Sequence, residues 1–204
     1  AAKLKNGRVV TWGKGTSGGN SRSVKSQLRD VDAIYTSDSA FAAKLSNGRV
    51  VTWGDADTGG DSDDVKNELM KVDSIYSTST AFTAKLSNGR VPVTWGYIPG
   101  TGDNSFLRND LQDVDAIYTS DSAFAAKLNC GRVVTWGDRM YGGNSSNVQN
   151  QLVGVDTIFS TLDGAFAAKL SNGKVVTWGS LRTGGDSTHV QDRLTDVDEI
   201  FSNR

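Results

Sequence analysis

Asp55, Asp57 and Asp61, in the stretch Asp-Ala-Asp-Thr-Gly-Gly-Asp, form the most oxygen-rich cluster in the sequence and have the look of a calcium loop. The corresponding stretches elsewhere read KGTSGGN, YIPGTGD, DRMYGGN and SLRTGGD, so the carboxylates do not recur as a set. Asp61 and its counterparts Asn20, Asp103, Asn144 and Asp186 are therefore expected to accept a backbone hydrogen bond in an Asx turn or cap. Two other charged sets recur in all five places: Lys3, Lys44, Lys85, Lys127 and Lys169, and Asp32, Asp73, Asp115, Asp156 and Asp198 in a Val-Asp-x-Ile context. Half-buried charges of opposite sign need each other, so Lys-to-Asp pairs are expected, with a charged ring lining a channel as the alternative. Trp12, Trp53, Trp95, Trp136 and Trp178 each precede a glycine at the end of an apolar strand and are expected in the core. Their alternative use would be stacking on sugars. The single histidine, His189, is expected on a solvated face. The single cysteine, Cys130, takes the turn position held by asparagine in other repeats. One of each excludes a His/Cys zinc site and an internal disulfide, and neither has a base or nucleophile beside it in sequence. No catalytic constellation, metal or cofactor is expected.

The elements that must position these residues come from an internal repeat. Five units occupy residues 1–41, 42–82, 83–124, 125–166 and 167–204, with starts 41 or 42 residues apart. Within a unit, Ala-Phe-Ala-Ala-Lys-Leu and Arg-Val-Val-Thr-Trp-Gly flank an Asn-Gly, which predicts a hairpin in which both turn residues tolerate positive φ. Ser62, Val65, Leu69 and Val72 then give an apolar stripe behind a serine N-cap, which predicts about two helical turns. A β-branched and aromatic strand closes the unit and runs into the next Ala-Phe. These are β-β-α-β units with short helices, and the fold class expected is an all-β dominated five-bladed β-propeller. The alternative is an open or longer repeat array. The closing strand at 197–201 and the opening Ala-Ala-Lys-Leu are expected to share a blade.

The run Asn-Gly-Arg-Val-Val-Thr-Trp-Gly-Asp-Ala-Asp-Thr-Gly-Gly-Asp-Ser, residues 47–62, resembles the repeat of the regulator of chromosome condensation family. That family carries a turn, a Val-Tyr-x-Trp-Gly strand and a Gly-rich loop in this order, and the resemblance extends over all five units. It implies a β-propeller used mostly for protein binding. The repeats here are shorter, Phe-Ala-Ala-Lys-Leu replaces a His-containing strand, and Gly-Gly-Asp/Asn-Ser replaces Gly-Gln-Leu-Gly. The exchange-factor activity of the family's founding member is therefore not carried over.

The charges, 22 Lys and Arg against 23 Asp and Glu for a net of -1, provide no basic field for nucleic acid. The apolar runs fall far short of the roughly 20 residues of a membrane-spanning helix, so the chain is read as soluble. A nearly constant frame with free positions at 14–17, 55–58, 97–100, 138–141 and 180–183 is how a scaffold with grafted specificity behaves. The expected function is a non-enzymatic protein-interaction scaffold or assembly subunit with a protein partner. A multivalent carbohydrate-binding lectin is the alternative. Unit three departs most: it holds Pro92 within its second strand, and Tyr97, Ile98 and Phe106 are the candidate interface.

Overall fold

The computed structural model describes residues 1–87, 92–100 and 110–203. The chain divides into two compact units, Ala1–Tyr97 and Ile98–Arg204. The first holds a two-stranded sheet of β1 (Ala2–Lys3) and β2 (Val9–Val10), then β3 (Val31–Thr36), β4 (Ala40–Leu45) and β5 (Val50–Gly54) in one sheet, and β6 (Val72–Ser77), β7 (Ala81–Leu86) and β8 (Val93–Gly96) in another. The second holds β9 (Val114–Thr119), β10 (Ala123–Leu128) and β11 (Val133–Gly137), then β12 (Val155–Ser160), β13 (Ala165–Leu170) and β14 (Val175–Gly179). Every pairing is antiparallel, and the Ala-Phe strand is central in each three-stranded sheet. The sheet is thus offset from the sequence repeat, because the strand that closes one repeat pairs with the first strand of the next.

The hairpins differ from the expected two-residue turn. Gly48 donates to the Leu45 carbonyl at 2.9 Å and Leu45 donates to the Arg49 carbonyl at 2.8 Å, so Ser46, Asn47 and Gly48 form a three-residue loop. Only Gly48 takes a positive φ, +76°. Asn47 contributes through its side chain, whose Oδ1 accepts from the Arg49 N–H at 3.0 Å. The Gly48 carbonyl in turn accepts from Val72 at 2.9 Å, which ties the turn of one sheet to the first residue of the next.

The predicted helix is also corrected. A single 3₁₀ turn, Asp63–Val65, stands where two helical turns were expected, as Arg22–Val24 does in the first repeat; the last two repeats hold a 3₁₀ turn three residues further along, Gln149–Gln151, and a six-residue 3₁₀ segment, Thr188–Arg193. A segment this short cannot recover the cost of helix nucleation. Ser62 does not cap it; its hydroxyl pairs with the Thr52 hydroxyl at 3.0 Å, as Ser21, Ser145 and Ser187 pair with Thr11, Thr135 and Thr177. The preceding residue caps instead: Asp61 Oδ1 accepts from the Asp63 N–H at 2.9 Å, and Asn20, Asn144 and Asp186 do the same two residues on. Asp103 lies outside the described residues. The Pro92 departure is visible as a β8 one residue shorter than β5, β11 and β14, beginning just after the proline, which has no N–H for a ladder.

Each unit's core follows the repeat. Leu69, Val72 and Ile75 are buried with Phe82, Ala84, Leu86 and Trp95 in the first unit, and Leu152, Val155 and Ile158 with Phe166, Ala168, Leu170 and Trp178 in the second. Val72 and Ile75 thus share a sheet with Phe82, Ala84, Leu86 and Trp95, and Ala40 and Ala42 of the preceding sheet join the same cluster, as Ala123 and Ala125 do in the second unit. Residues 197–201, expected as a closing strand, are not in a strand.

Candidate functional site

Four tryptophans occupy one repeated arrangement. Phe41, Phe82, Phe124 and Phe166 sit opposite Trp53, Trp95, Trp136 and Trp178 in register and stack on them, with ring centroids 5.1–5.4 Å apart and planes within 21°. The indole Nε1 of Trp53, Trp95 and Trp178 donates to the carbonyls of Gly18, Gly59 and Gly142 at 3.0, 3.1 and 3.1 Å. Residue 101, which holds the matching sequence position for Trp136, lies outside the described residues. These rings are buried and present no face to a sugar, so the aromatic basis of the carbohydrate alternative is absent at four of the five positions. Trp12 departs from the expected core role and is 66% exposed.

The lysines and aspartates meet through a bulge. The β3–β4 register skips Asp32, passing from Val31↔Leu45 to Ala33↔Lys44, and the β9–β10 register likewise skips Asp115 beside Lys127. The skipped carboxylates reach Lys44 Nζ at 2.8 Å and Lys127 Nζ at 2.7 Å. Lys127 and Lys169 also donate to the Asp156 and Asp198 carbonyls later in their own repeats, at 2.8 and 2.7 Å. The hydrogen bond and charge of Lys44 hold the Asp32 carboxyl below its ordinary value. The Lys44 ammonium is held above its own by the Asp32 hydrogen bond, against the opposing effect of burial, with weaker help from Tyr35 and Asp73. Asp73 itself is exposed. These contacts give the repeated lysine a structural task, joining strands and adjacent repeats.

The loops after Trp12, Trp53, Trp136 and Trp178 share one backbone contact, in which the N–H of Gly19, Gly60, Gly143 and Gly185 donates to the carbonyl of Lys14, Asp55, Asp138 and Ser180, while their side chains vary. A Cβ on Gly60 would fall 2.5 Å from the Gly54 carbonyl carbon and 2.6 Å from the Asp55 oxygen, so the second glycine of the pair is required by backbone crossing backbone. Asp55 and Asp138 begin their 3₁₀ turns by accepting from the N–H of Asp57 and Met140, at 3.0 and 2.8 Å. Asp55 and Asp61, the carboxylates of the calcium-like stretch, are thus both engaged by backbone donors. His189 is exposed on the last 3₁₀ turn, and Cys130 is an exposed free thiol at a hairpin tip.

Within the second unit four loops converge on one edge. A Cβ on Gly164 would lie 2.6 Å from Tyr141 Cα, the Thr183 hydroxyl donates to the Asp163 carbonyl at 3.1 Å, and Asp121 donates to the Leu162 carbonyl at 2.9 Å. This edge exposes Met140 (78%), Leu181 (75%), Leu162 and Tyr141. Sequence reading placed the apolar anchor elsewhere, at Tyr97, Ile98 and Phe106. Tyr97 is exposed, and its N–H is shared between the Asp57 and Thr80 carbonyls, both at 3.0 Å; Ile98 is half-buried. Phe106 lies outside the described residues. The Met140 and Leu181 positions belonged to the free loop stretches, but Leu162 sits in a strand-to-strand turn one residue longer than its counterparts, a length difference that was the available signal.

No protein-family model matches the chain, and no curated protein matches its sequence. Solved structures do match in shape. Prp20p from Saccharomyces cerevisiae aligns at a TM-score of 0.51 and 15% identity, over 88% of this chain and 52% of that one. The crystal structure of Kap60 bound to yeast RCC1 (Prp20) aligns at a TM-score of 0.51 and 17% identity, over 76% and 45%. The fold is a β-propeller. The chain spans about half the length of the propeller structures it resembles, and each three-stranded sheet is one blade. In propeller terms, the Phe–Trp stack and its glycine carbonyl form the contact between a blade and the loop of the preceding repeat. The convergent edge is built from the loops that leave the blades after Trp-Gly and from the turns between their first and second strands. Among the described residues no helix is long and apolar enough to cross a membrane.

Proposed function

We propose that this chain is a non-enzymatic protein-binding module, acting as a scaffold or assembly subunit, whose partner docks on the loop edge of the second unit. The observation that carries the reading is the contrast between frame and loops. Glycine, phenylalanine and tryptophan hold the blades, while Met140, Tyr141, Leu162 and Leu181 stand exposed together on one edge. Exposed side chains of this size clustered on an otherwise polar repeat are typical interface anchors. A propeller related in shape has been crystallised with a protein partner, Kap60, which agrees with such a use of the fold. Tyr97 and Ile98 are further candidates of the same kind. The repeated lysines and aspartates are occupied in joining strands and repeats, which favours a binding role over catalysis.

The test is affinity capture from the native source with mass-spectrometric identification, followed by purified-component binding. Met140→Asp, Tyr141→Thr and Leu181→Ala give this edge the residues of the second repeat, and Leu162→Ser completes the change. Loss of the identified partner with an unchanged melting temperature is expected. Retained binding by the folded quadruple variant would refute the location. Saturable binding to a glycan array by the wild-type chain, with no protein partner captured, would refute the class.

A further inference from the structure

In the fourth and fifth repeats a glutamine just after the Gly-Gly loop reaches back to the edge strand of its own repeat. Gln149 Oε1 accepts from the Ser145 hydroxyl at 2.9 Å, and its Nε2 donates to the Val133 carbonyl at 3.0 Å. Gln191 repeats both contacts with Ser187 and Val175, each at 2.9 Å. Val133 and Val175 stand opposite Lys127 and Lys169, at ladder positions whose backbone groups turn away from the neighbouring strand. These two repeats therefore each hold a slot for a primary carboxamide, with one hydroxyl donor and one carbonyl acceptor, and the chain fills it from within.

The first repeat builds the same slot around a different residue. Val9 stands opposite Lys3 as Val133 stands opposite Lys127. Leu4 donates to the Arg8 carbonyl at 2.8 Å, so Val9, one residue on, turns its carbonyl away from β1. The buried Ser21 hydroxyl pairs with Thr11 at 2.9 Å, as Ser145 and Ser187 pair with Thr135 and Thr177 at 3.1 and 2.8 Å. Val24 donates to the Ser21 carbonyl at 3.1 Å, as Val148 and Val190 do to Ser145 and Ser187 at 3.0 and 2.9 Å, so the backbone beyond the serine takes the same course. In the place of Gln149 and Gln191 stands Lys25, an exposed side chain. The slot is here a cavity of about 490 Å³ walled by Val9, Thr11, Ser21, Arg22 and Lys25, a size that suits a small polar ligand. Its charge is peculiar to this repeat. In the second repeat Lys66 takes the place of Lys25 and pairs with Asp63 at 3.3 Å, whereas in the first Arg22 replaces Asp63 and two like charges border the cavity.

We infer that this cavity binds a primary carboxamide carried beside a carboxylate, supplied by a free glutamine-type amino acid or by a glutamine next to an acidic residue in a partner's chain. The carboxamide takes the place that the Gln149 side chain holds in its own repeat. Its oxygen accepts from the Ser21 hydroxyl, which is free to donate because it can accept from Thr11, and its NH₂ donates to the Val9 carbonyl. Arg22 and Lys25 hold the carboxylate through charge-assisted hydrogen bonds. The site lies in the first unit, apart from the loop edge of the second, and stands independently of a partner docking there.

Heteronuclear NMR titration of the full chain with N-acetyl-L-glutamine tests this, because the backbone amides of Val9, Ser21 and Lys25 report on the slot directly. Saturable shifts at these three positions are expected. N-acetyl-L-leucine keeps the carboxylate and loses the amide, and N-acetyl-L-glutaminamide keeps the amide and loses the carboxylate; each should bind about tenfold or more weakly. Lys25→Gln fills the slot from within, as in the fourth and fifth repeats, and should abolish the shifts with a melting temperature equal to or above that of the wild type. Arg22→Asp installs the pairing of the second repeat and should abolish them as well. A capped Ala-Gln-Asp-Ala peptide separates the two sources: tighter binding than N-acetyl-L-glutamine assigns the site to a partner's chain, and weaker binding assigns it to a free amino acid. No saturable shift with either probe, equal binding of the leucine analogue, or undiminished binding to folded Lys25→Gln would each overturn the proposal.

Discussion

Replacing Gly59 with alanine probes the blade contact at its tightest point, and a partner substitution separates the two costs involved. Gly59 has a φ of +94°, and holding an alanine in that region costs about 1–2 kcal/mol. The added methyl would also sit 2.6 Å from Cδ2 and 2.9 Å from Cε2 of Phe82, a ring that is fully buried and stacked on Trp95 at 5.4 Å. Relieving that overlap means displacing the ring or the loop, an overpacking cost of about 1–3 kcal/mol. The total loss expected is therefore about 2–5 kcal/mol. Gly184→Ala imposes the same backbone penalty at φ +113°, but its methyl would make only an ordinary contact with Ala165 Cβ at 3.8 Å, so only about 1–2 kcal/mol should be lost. Urea unfolding followed by tryptophan fluorescence gives both values. Movement of the Trp95 indole away from the Gly59 carbonyl should also alter the native emission of Gly59→Ala alone. Equal destabilisation by the two substitutions would show that the methyl meets no resistance, and the account of the Gly–Phe–Trp contact would be wrong.

Gly48→Val should cost about 2 kcal/mol or more, since it combines a positive φ with a Cβ 3.0 Å from Lys71 Cα; an unchanged denaturation midpoint would count against the three-residue turn. Cys130→Asn should stabilise by about 0.5–1.5 kcal/mol, because it supplies the side-chain acceptor that Asn6, Asn47 and Asn172 offer to the N–H two residues on, measured by the shift in midpoint. Asp32 is held below the ordinary carboxylate value of 3.8 by Lys44, so its contribution is present above that value and fades as pH falls through the lowered one. Lys44 is held above its ordinary 10.5, so its contribution is present below that value and fades as pH rises through the raised one. Lys44→Met should therefore flatten the melting-temperature profile at both extremes, and identical slopes in variant and wild type would refute the pairing.

The strands were legible because their alternation, the repeated Trp-Gly and the turn glycine all point one way. The blade boundaries were less so: the Val-Asp-x-Ile strand follows the loop in sequence, yet hydrogen-bonds to the Ala-Phe strand of the next repeat, and only pairing reveals this. Asn47 misled on turn type because its side-chain acceptance from Arg49 serves a three-residue loop as well as a positive φ would serve a two-residue one. Ser62 misled on the helix because its hydroxyl has a tertiary partner, Thr52, ten residues away, invisible to local capping rules. The Lys44–Asp32 pair was legible as a need, but its geometry depends on a bulge that no residue type announces. On the exposed edge, Met140 and Leu181 were readable as variable positions. Their proximity to Leu162 required the fold.

The near-identity of the Gly–Phe–Trp contacts at Trp53, Trp95 and Trp178 leaves the molecule without addresses. No side chain at these contacts distinguishes one blade from another, and only covalent order along the chain decides which neighbours meet. A whole repeat of 41 or 42 residues could be deleted or duplicated by in-frame recombination with each surviving contact still matched to an equivalent partner. Repeat copy number is then an evolvable quantity, changed in single steps without redesigning a core. The same interchangeability has a cost during folding, when a hairpin can dock on the wrong repeat with nearly native complementarity, so refolding yield should fall as chain concentration rises.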